Sequence, residues 1–315
     1  MTELHLHLDG SMRPQTIFEL ASHQGISLPA ADAKALRAYL EVPADCPSLT
    51  DYLKRFDLPL AVLQTPDALE RAAFELSEDL YRLGVERAEI RFAPQFSTSG
   101  GMTQDDAVCA AVAGARRAME TYPAFRCGLI LCCMRGSGNQ AANEETLRLV
   151  GKHLPGGVVC AIDLAGAEAL FPTSDYAGLF EQAHAQQIPM TIHAGEADGP
   201  DSIRQALSFG TKRIGHGIAA AGDPALMRQL AEAGVTLEVC PTSNVQTKGA
   251  VSLDRHPIRA LFDAGVRVTV NSDNMTVSNT DLPREIALLK THLGFTDGEI
   301  GTMQRYAREA SFLRE

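Results

Sequence analysis

The stretch "MTELHLHLDGS", residues 1–11, combines the pattern of a β-strand with two potential metal ligands. His5 and His7 alternate with leucines in a short apolar run. Because residues i and i+2 of a strand point to the same face, both imidazole rings can bind one ion. Such a pair also occurs on ordinary strands, so a metal site is indicated only if the rest of the chain supplies further ligands.

Eight short apolar runs, each bounded by glycine, proline or charged residues, are predicted to be β-strands. They comprise residues 3–8, 88–93, 127–133, 157–164, 188–193, 212–216, 235–240 and 266–272. Helical periodicity occurs between them, for example at 67–84, 105–120 and 223–235. This alternation predicts a parallel α/β fold that closes into a (β/α)8 TIM barrel. The alternative, a doubly wound open sheet, requires a glycine-rich phosphate-binding turn after the first strand, and "HLHLDGS" is not such a turn.

Residues 12–66 form the longest insertion, with two helical patterns at 14–25 and 48–63. In a barrel, an insertion after the first strand lies at the carboxyl end of the strands, where loops build the active site. We therefore expect a helical lid over the barrel mouth. Because no convincing linker and no internal repeat beyond the strand–helix alternation is found, residues 1–315 are expected to form a single domain.

Composition narrows the range of partners. Of the 315 residues, 45% are hydrophobic and 21% are charged, as in an ordinary folded enzyme. The formal net charge of -11 disfavours a nucleic-acid partner, since binding to phosphates requires lysine and arginine. The sequence shows neither a long apolar run nor a secretory signal pattern, so we expect no membrane association and a cytoplasmic location. No specific protein partner is predicted.

Polar side chains cluster at the carboxyl ends of the predicted strands, where a barrel places its active site. His193 ends strand five and Asp273 follows strand eight, so both join His5 and His7 at one mouth. Three neutral imidazoles and one carboxylate suit Zn²⁺ and leave room for a water molecule. A binuclear site would need a bridging lysine or acid from the middle strands, and strand four ends in "IDLAGAE" without a lysine. We predict one Zn²⁺ per chain.

Two further residues at this mouth are predicted to be catalytic. Glu196 follows His193 by three residues in "HAGE", and His216 ends strand six in "GHG". Because zinc lowers the pKa of its bound water, His216 can hydrogen-bond the resulting hydroxide and Glu196 can transfer protons. Asp273 counts both as a metal ligand and as a member of the catalytic set.

Arg91 and five further histidines are expected to lie outside the catalytic set. Arg91, inside strand two, needs a buried partner such as a carboxylate. Surface or capping positions are expected for the remaining histidines, His23, His153, His184, His256 and His292.

Eight motifs follow one another along the chain: "HLHLDGS", "RFAP", "LCCMRG", "IDLAGAE", "HAGE", "RIGHG", "CPTSN" and "NSDN". In this order, from residue 3 to near residue 310, they resemble the adenosine deaminase family of the amidohydrolase superfamily. The resemblance implies a zinc site whose ligands are His5, His7, His193 and Asp273. It also implies that Glu196 protonates purine N1 while hydroxide attacks C6, and that His216 orients and polarises the hydroxide.

The resemblance further implies contacts with a purine nucleoside. The backbone N–H of Gly166 would bind purine N3, and Asp9 would bind the ribose 5'-hydroxyl. Tyr52 and Phe56 would belong to a hydrophobic lid, although their helical spacing alone favours a core position. Asn274 stands where the family usually has a second aspartate facing purine N7. An amide donates to N7 at any pH, whereas an aspartate must be protonated to do so.

These motifs predict zinc-dependent hydrolytic deamination of adenosine, and of 2'-deoxyadenosine, to inosine and ammonia in purine metabolism. One alternative is a deaminase of another 6-aminopurine, such as adenine or a modified adenine nucleoside. A second is a metal-dependent phosphoesterase, which would need two or three metals and a set of phosphate-binding Arg and Lys side chains. A third is a catalytically inactive binding protein, which the presence of Glu196 and His216 disfavours.

Overall fold

Eight parallel β-strands alternate with helices in residues 1–313, the part of the chain that this computed structural model describes. The strands are β1 Thr2–His7, β2 Arg87–Phe92, β3 Arg126–Met134, β4 Val159–Ala165, β5 Thr191–Ala194, β6 Arg213–His216, β7 Thr236–Val239 and β8 Arg267–Val270. All eight predicted strands are confirmed. The largest difference is at β5, which begins three residues later than predicted, after Pro189, a residue with no N–H to pair.

The strands enclose one interior. β1–β4 pair in sequence order as one sheet, and β5–β8 pair in sequence order as another. One β-bridge joins the two sheets at each seam. Leu6 pairs with Asp273 at the seam between β1 and β8, and Ile162 pairs with Met190 at the seam between β4 and β5. At the first seam, the backbone N–H of His7 donates to the carbonyl oxygen of Asp273 at 2.7 Å. The predicted TIM barrel is therefore confirmed.

Helices cover the barrel and build the insertion after β1. They are α1 Pro14–Gln24, α2 Ala33–Leu40, α3 Leu49–Leu53, α4 Asp57–Val62, α5 Pro66–Arg82, α6 Gln104–Thr121, α7 Gln140–His153, α8 Ala177–Ala185, α9 Pro200–Ser208, α10 Pro224–Ala233, α11 Pro241–Gln246, α12 Ile258–Asp263, α13 Leu282–Leu293 and α14 Asp297–Ala310. The helices predicted at 67–84, 105–120 and 223–235 are confirmed as α5, α6 and α10. Within residues 1–313, none of these helices is both long and apolar enough to cross a bilayer.

Side chains cap the first turns of α5 and α6, two of the longest helices. The Thr65 hydroxyl accepts the backbone N–H of Ala68 at the start of α5, which has proline at its first position. At the start of α6, Thr103 and Asp106 form a reciprocal capping box. Each cap provides a partner for N–H groups that lack one inside the helix.

The insertion 12–66 forms the expected helical lid, with α3 and α4 above the carboxyl ends of the strands. It is attached to the loop that follows β8. The backbone N–H of Val42 donates to the carbonyl oxygen of Val277 at 2.9 Å, and the Tyr52 hydroxyl lies 2.7 Å from the Ser278 hydroxyl. The lid therefore contacts the loop that follows β8.

Charged residues are buried inside the barrel below its mouth. Arg91 of β2 is fully buried and donates to Asp163 at 2.9 Å and to Glu238 at 2.7 Å. The expectation that Arg91 is structural and needs a buried carboxylate is confirmed. Buried charges of this kind persist only when each is paired and hydrogen-bonded.

A second arginine extends this network towards the amino ends of the strands. Arg213 donates to Glu238 at 2.6 Å and to Glu89 at 2.5 Å. The ring of Phe312, just after α14, lies 3.9 Å from the Arg213 guanidinium carbon, and its backbone N–H donates to Glu89. The segment after α14 therefore closes this end of the barrel over the charged network. The expected single domain, residues 1–315, also includes residues 314 and 315, which lie outside the described part of the chain.

Replacing Arg213 by methionine leaves the carboxylates of Glu238 and Glu89 with one cation fewer. We expect Arg213→Met to lower the free energy of unfolding by about 3–5 kcal/mol, the usual cost of removing one partner from a buried ion pair. The matched control is Arg148→Met, which removes an exposed pair with Glu145 and is expected to cost less than about 1 kcal/mol. Urea denaturation of both variants measures the difference, and equal costs would contradict a structural role for the buried network.

Candidate active site

The four predicted metal ligands converge at the carboxyl end of the barrel. The Nε2 atoms of His7 and His193 lie 3.3 Å apart. Asp273 Oδ1 lies 3.5 Å from Nε2 of His5 and 3.5 Å from Nε2 of His7. Ligand atoms at about 2.0–2.1 Å from a tetrahedral Zn²⁺ are ~3.3–3.5 Å from one another. These three distances match a zinc site, and the ligand atoms of His5, His7 and His193 also lie within 4.8 Å of one another.

Two buried carboxylates determine which nitrogen of each ring faces this point. Nδ1 of His5 lies 2.9 Å from Glu238 Oε2, and Nδ1 of His193 lies 3.0 Å from Asp163 Oδ2. Because an ionised carboxylate only accepts, Nδ1 carries the hydrogen and Nε2 keeps its lone pair. Nε2 of His5 is buried and, within the described residues, has no hydrogen-bond partner. An orphaned lone pair of this kind fits a metal ligand.

The carboxylates remain ionised although they are buried. Burial by itself would raise the pKa of Asp273, but the surrounding imidazole rings of His5, His216 and His7 hold the pKa well below its ordinary value. Burial would likewise raise the pKa of Glu238, and the charges of Arg213 and Arg91 hold it well below the usual range. Negative charge is therefore concentrated around the point where the Nε2 atoms meet, and this favours a cation.

Glu196 lies on a loop that another acid holds in place. The Glu168 carboxylate accepts the backbone N–H groups of Gly195, Glu196 and Ala197 at 2.6, 2.9 and 2.8 Å. Burial, reinforced by the charge of Asp273, raises the pKa of the Glu196 side chain to about 8. Its carboxyl group therefore holds a proton at neutral pH and can give it to a base.

His216 ends β6 beside this acid. Its Nε2 lies 3.6 Å from Glu196 Oε2, and its ring centroid lies 4.8 Å from that of His5. Burial lowers the pKa of His216 well below its ordinary value, and the neighbouring His5 lowers it further. The backbone of His216 has φ 59° and that of Asp273 has φ 60°, a left-handed conformation that costs ~1–3 kcal/mol in residues other than glycine. The barrel therefore positions both side chains on strained backbone.

A cavity of about 320 Å³ opens next to these groups. Its size suits a small organic ligand. The predicted substrate-binding residues all line it: Asp9, Gly166, Asn274, Tyr52 and Phe56. Leu49 and Leu53 of the lid add an apolar wall. Tyr52 and Phe56, whose spacing alone favoured a core position, also face the cavity.

Asn274 is held between the lid and the first strand. Its side-chain N–H donates to the Tyr52 hydroxyl at 2.9 Å. A Cβ atom at Gly10 would lie only 1.8 Å from Asn274 Oδ1, so the glycine of "HLDG" is needed for this packing. The amide therefore approaches the cavity in a constrained orientation.

Asp9 follows β1 and Gly166 follows β4, and both residues line the cavity. Burial raises the pKa of Asp9 to about 6. Gly166 has φ 107°, a backbone conformation that residues with a Cβ rarely adopt. A side chain at this position would therefore strain the turn that brings the backbone to the cavity wall.

The residues that support the site were not singled out from the sequence. They are Asp163, Glu238, Glu168 and Asn244. Asp163 and Glu238 lie inside the apolar runs "CAIDLA" and "TLEV", and a lone acid in a buried strand indicates a buried partner. That signal could have identified two of the four.

One expectation was wrong in part. His256 was assigned to the surface or to a helix cap, and it does accept the backbone N–H of Ile258 at the start of α12. However, it is only 3% exposed, and its other ring nitrogen lies 3.3 Å from Asn244 Oδ1. It is a buried cap, because α12 begins next to α11, the helix that carries Asn244.

Comparison with known proteins places this geometry in a family. The model of a family described as adenosine deaminase matches residues 1–315. The adenosine deaminase of Haemophilus ducreyi is 46% identical over 314 residues, which are 99% of this chain and 91% of the relative. The solved structure of an adenine deaminase from Arthrobacter aurescens has a TM-score of 0.89 at 28% identity and covers 100% of this chain and 94% of its own. The N6-methyl-AMP deaminase of Arabidopsis thaliana has a TM-score of 0.84 at 27% identity, with 100% and 92% covered.

These matches extend across the lid, the barrel and each strand end that carries a candidate ligand. The identity of 46% to the Haemophilus ducreyi relative, over 99% of this chain, is high enough to indicate a shared family. We conclude that the chain belongs to the adenosine deaminase family.

Proposed function

We propose that this chain, an enzyme of the adenosine deaminase family, deaminates adenosine and 2'-deoxyadenosine hydrolytically to inosine and ammonia with one Zn²⁺ per chain. The observation that carries the proposal is the convergence of three Nε2 atoms and the Asp273 carboxylate beside Glu196 and one small cavity. The enzyme acts as a single domain in the cytoplasm, as the sequence predicts, and its partner is its small-molecule purine substrate.

The metal would be held by His5, His7, His193 and Asp273. When bound there, zinc would lower the pKa of a water molecule so that hydroxide is available near neutral pH. His216 hydrogen-bonds the attacking oxygen and orients it towards C6 of the purine. Glu196 gives its proton to N1 as the oxygen adds to C6.

The products follow from the balance of protons. After addition, C6 carries both the new oxygen and the amino group. The C6–N6 bond breaks, and the amino group leaves as ammonia with the proton of the added oxygen. The oxygen becomes the C6 carbonyl, N1 keeps the proton from Glu196, and the product is inosine. Glu196 regains its proton from the next water molecule as that water becomes hydroxide, so no net proton is gained or lost.

The cavity residues support a nucleoside substrate. Asp9 can accept a hydrogen bond from the ribose 5'-hydroxyl, and the backbone N–H of Gly166 can donate to N3. Asn274 can donate to N7, because its amide carries N–H groups at any pH. Tyr52 and Phe56 cover the base from the lid and exclude water.

The second candidate is a deaminase of another 6-aminopurine, because two structural neighbours carry the names of an adenine deaminase and an N6-methyl-AMP deaminase. A phosphoesterase is disfavoured because the guanidinium of the arginine that lines the cavity already binds other groups of the protein. Arg135 donates to the carbonyl oxygens of Phe171 and His193 and to the Thr173 hydroxyl, so its guanidinium is used in holding the loops.

The purified enzyme is expected to convert adenosine faster than adenine, measured as the fall in ultraviolet absorbance on deamination. Complete removal of metal with a chelator should abolish the activity, and one equivalent of Zn²⁺ should restore it. Elemental analysis should find one metal per chain. Full activity in metal-free protein would contradict the mechanism, and a preference for adenine would favour the second candidate.

Replacing Glu196 by glutamine removes the proton donor and keeps the shape of the side chain. We expect Glu196→Gln to lower kcat by about 10²–10⁴-fold, the usual contribution of a positioned general acid. Metal content should not change. The control is Glu181→Gln, which alters an exposed glutamate of α8 and should keep full activity. Normal turnover by Glu196→Gln would reject the assignment.

Replacing Asn274 by leucine tests the contact with N7. Wild-type enzyme should prefer adenosine to 7-deazaadenosine, which has carbon at that position. Asn274→Leu should lower kcat/KM for adenosine by about ten-fold more than for 7-deazaadenosine, the size of one neutral hydrogen bond. Asn274→Leu also removes the hydrogen bond to Tyr52. This loss lowers kcat/KM for both substrates alike, so it does not change the ratio of the two kcat/KM values. An unchanged ratio would show that Asn274 does not contact N7.

A further inference from the structure

Three buried side chains connect the start of α12 to the cavity. The backbone N–H of Ile258 lies 3.2 Å from His256 Nδ1, and His256 Nε2 lies 3.3 Å from Asn244 Oδ1. The Asn244 side-chain nitrogen in turn lies 2.9 Å from Nδ1 of His216. Each of these three side chains is at most 3% exposed.

The polarity of this chain is determined at its outer end. A backbone N–H can only donate, so Nδ1 of His256 must be the acceptor and carries no hydrogen. A neutral imidazole then carries its hydrogen on Nε2. Burial lowers the pKa of His256 to about 4, in agreement with a neutral ring.

The second bond follows from the first. Nε2 of His256 donates, and the only atom of an asparagine amide that accepts is its oxygen. Asn244 therefore turns Oδ1 towards His256 and its N–H groups towards His216. Its backbone is also held, because its N–H donates to the Cys240 carbonyl oxygen and its own carbonyl accepts the N–H of Ala250.

We propose that Asn244 and His256 are positioning residues that fix the tautomer of His216. An N–H donated to Nδ1 of His216 requires a lone pair there, which leaves the hydrogen on Nε2. His216 therefore donates a hydrogen bond from the nitrogen that faces Glu196 and does not take a proton from the attacking water. The inference rests on the proposed function, because it assigns the direction of one hydrogen bond within that site.

The position of the ring hydrogen in His216 is the reverse of that in the candidate metal ligands His5 and His193. His5 and His193 face carboxylates with Nδ1, so their lone pairs point into the site. His216 faces an amide N–H with Nδ1, so its hydrogen points into the site. The acid–base step then falls to Glu196, whose carboxyl oxygen is 3.6 Å from Nε2 of His216.

The direct test is ¹⁵N nuclear magnetic resonance of the zinc-loaded enzyme labelled at its histidines. The signals of His216 are identified by their loss in His216→Gln. We expect Nδ1 of His216 to be unprotonated and Nε2 to be protonated. In Asn244→Asp, where the amide N–H is replaced by an oxygen, Nδ1 of His216 should become protonated. A protonated Nδ1 in the wild-type enzyme would overturn the proposal.

A kinetic test acts on the outer residue, which touches neither substrate nor metal. His256→Phe removes the hydrogen bond that orients Asn244, so its amide can rotate and both tautomers of His216 become accessible. We expect kcat to fall about ten-fold, the size of one neutral hydrogen bond, with KM for adenosine unchanged. His256→Gln keeps an N–H near the position of Nε2 and should recover part of the loss.

The matched control is His153→Phe, which makes the same substitution at the end of α7, where the ring contacts Asp105 outside the site. It should leave kcat unchanged. An unaltered kcat in His256→Phe, or a rise in KM without a fall in kcat, would overturn the role of His256. If His256→Phe does not fold, the wild-type spectrum still decides the tautomer. Absence of adenosine turnover with the expected tautomer present would reject the proposed function and leave the hydrogen-bond polarity intact.

Discussion

The hydrogen bonds that Glu238 and Asp163 accept from His5 and His193 are the interactions on which the site depends. Each bond holds an imidazole ring in place and leaves its Nε2 lone pair facing the other ligands. Both carboxylates are in turn bound by one guanidinium, that of Arg91. A residue of β2 that is remote from the cavity therefore links two ligands from opposite halves of the barrel.

The same network connects stability with function. Glu238 accepts from Arg91, from Arg213 and from His5, and without these partners a fully buried carboxylate would take up a proton. A protonated Glu238 would no longer determine the tautomer of His5. The buried charges of the barrel interior therefore serve two purposes: they satisfy one another, and they keep lone pairs directed at the mouth.

Much of the fold could be predicted from the sequence because its signals are local. Each strand is a short apolar run, so all eight strands were found, and helices such as α5, α6 and α10 show their own periodicity. The candidate ligands could be proposed from the sequence, because His5, His7, His193 and Asp273 all occur at strand ends. In a closed parallel barrel, the strand ends meet at one mouth whatever the register.

The supporting residues depend on relations that are not local. β7 and β1 are not neighbours in the barrel. That Glu238 faces His5 follows from the way both side chains point into the barrel interior. That His256 reaches Asn244 follows from the packing of the start of α12 against α11. The role of Tyr52 and Phe56 was ambiguous for the same reason. Their spacing is that of a core face, and only the position of the lid shows that they face a cavity.

The central claim is that three Nε2 atoms and one carboxylate hold a single zinc ion at the mouth of the barrel. A crystal of the zinc-loaded enzyme, measured with X-rays above and below the zinc absorption edge, tests it most directly. The account predicts one anomalous peak per chain at about 2.0–2.1 Å from Nε2 of His5, His7 and His193 and close to Asp273. A peak bound to other residues, or no peak in zinc-loaded and active enzyme, would contradict it.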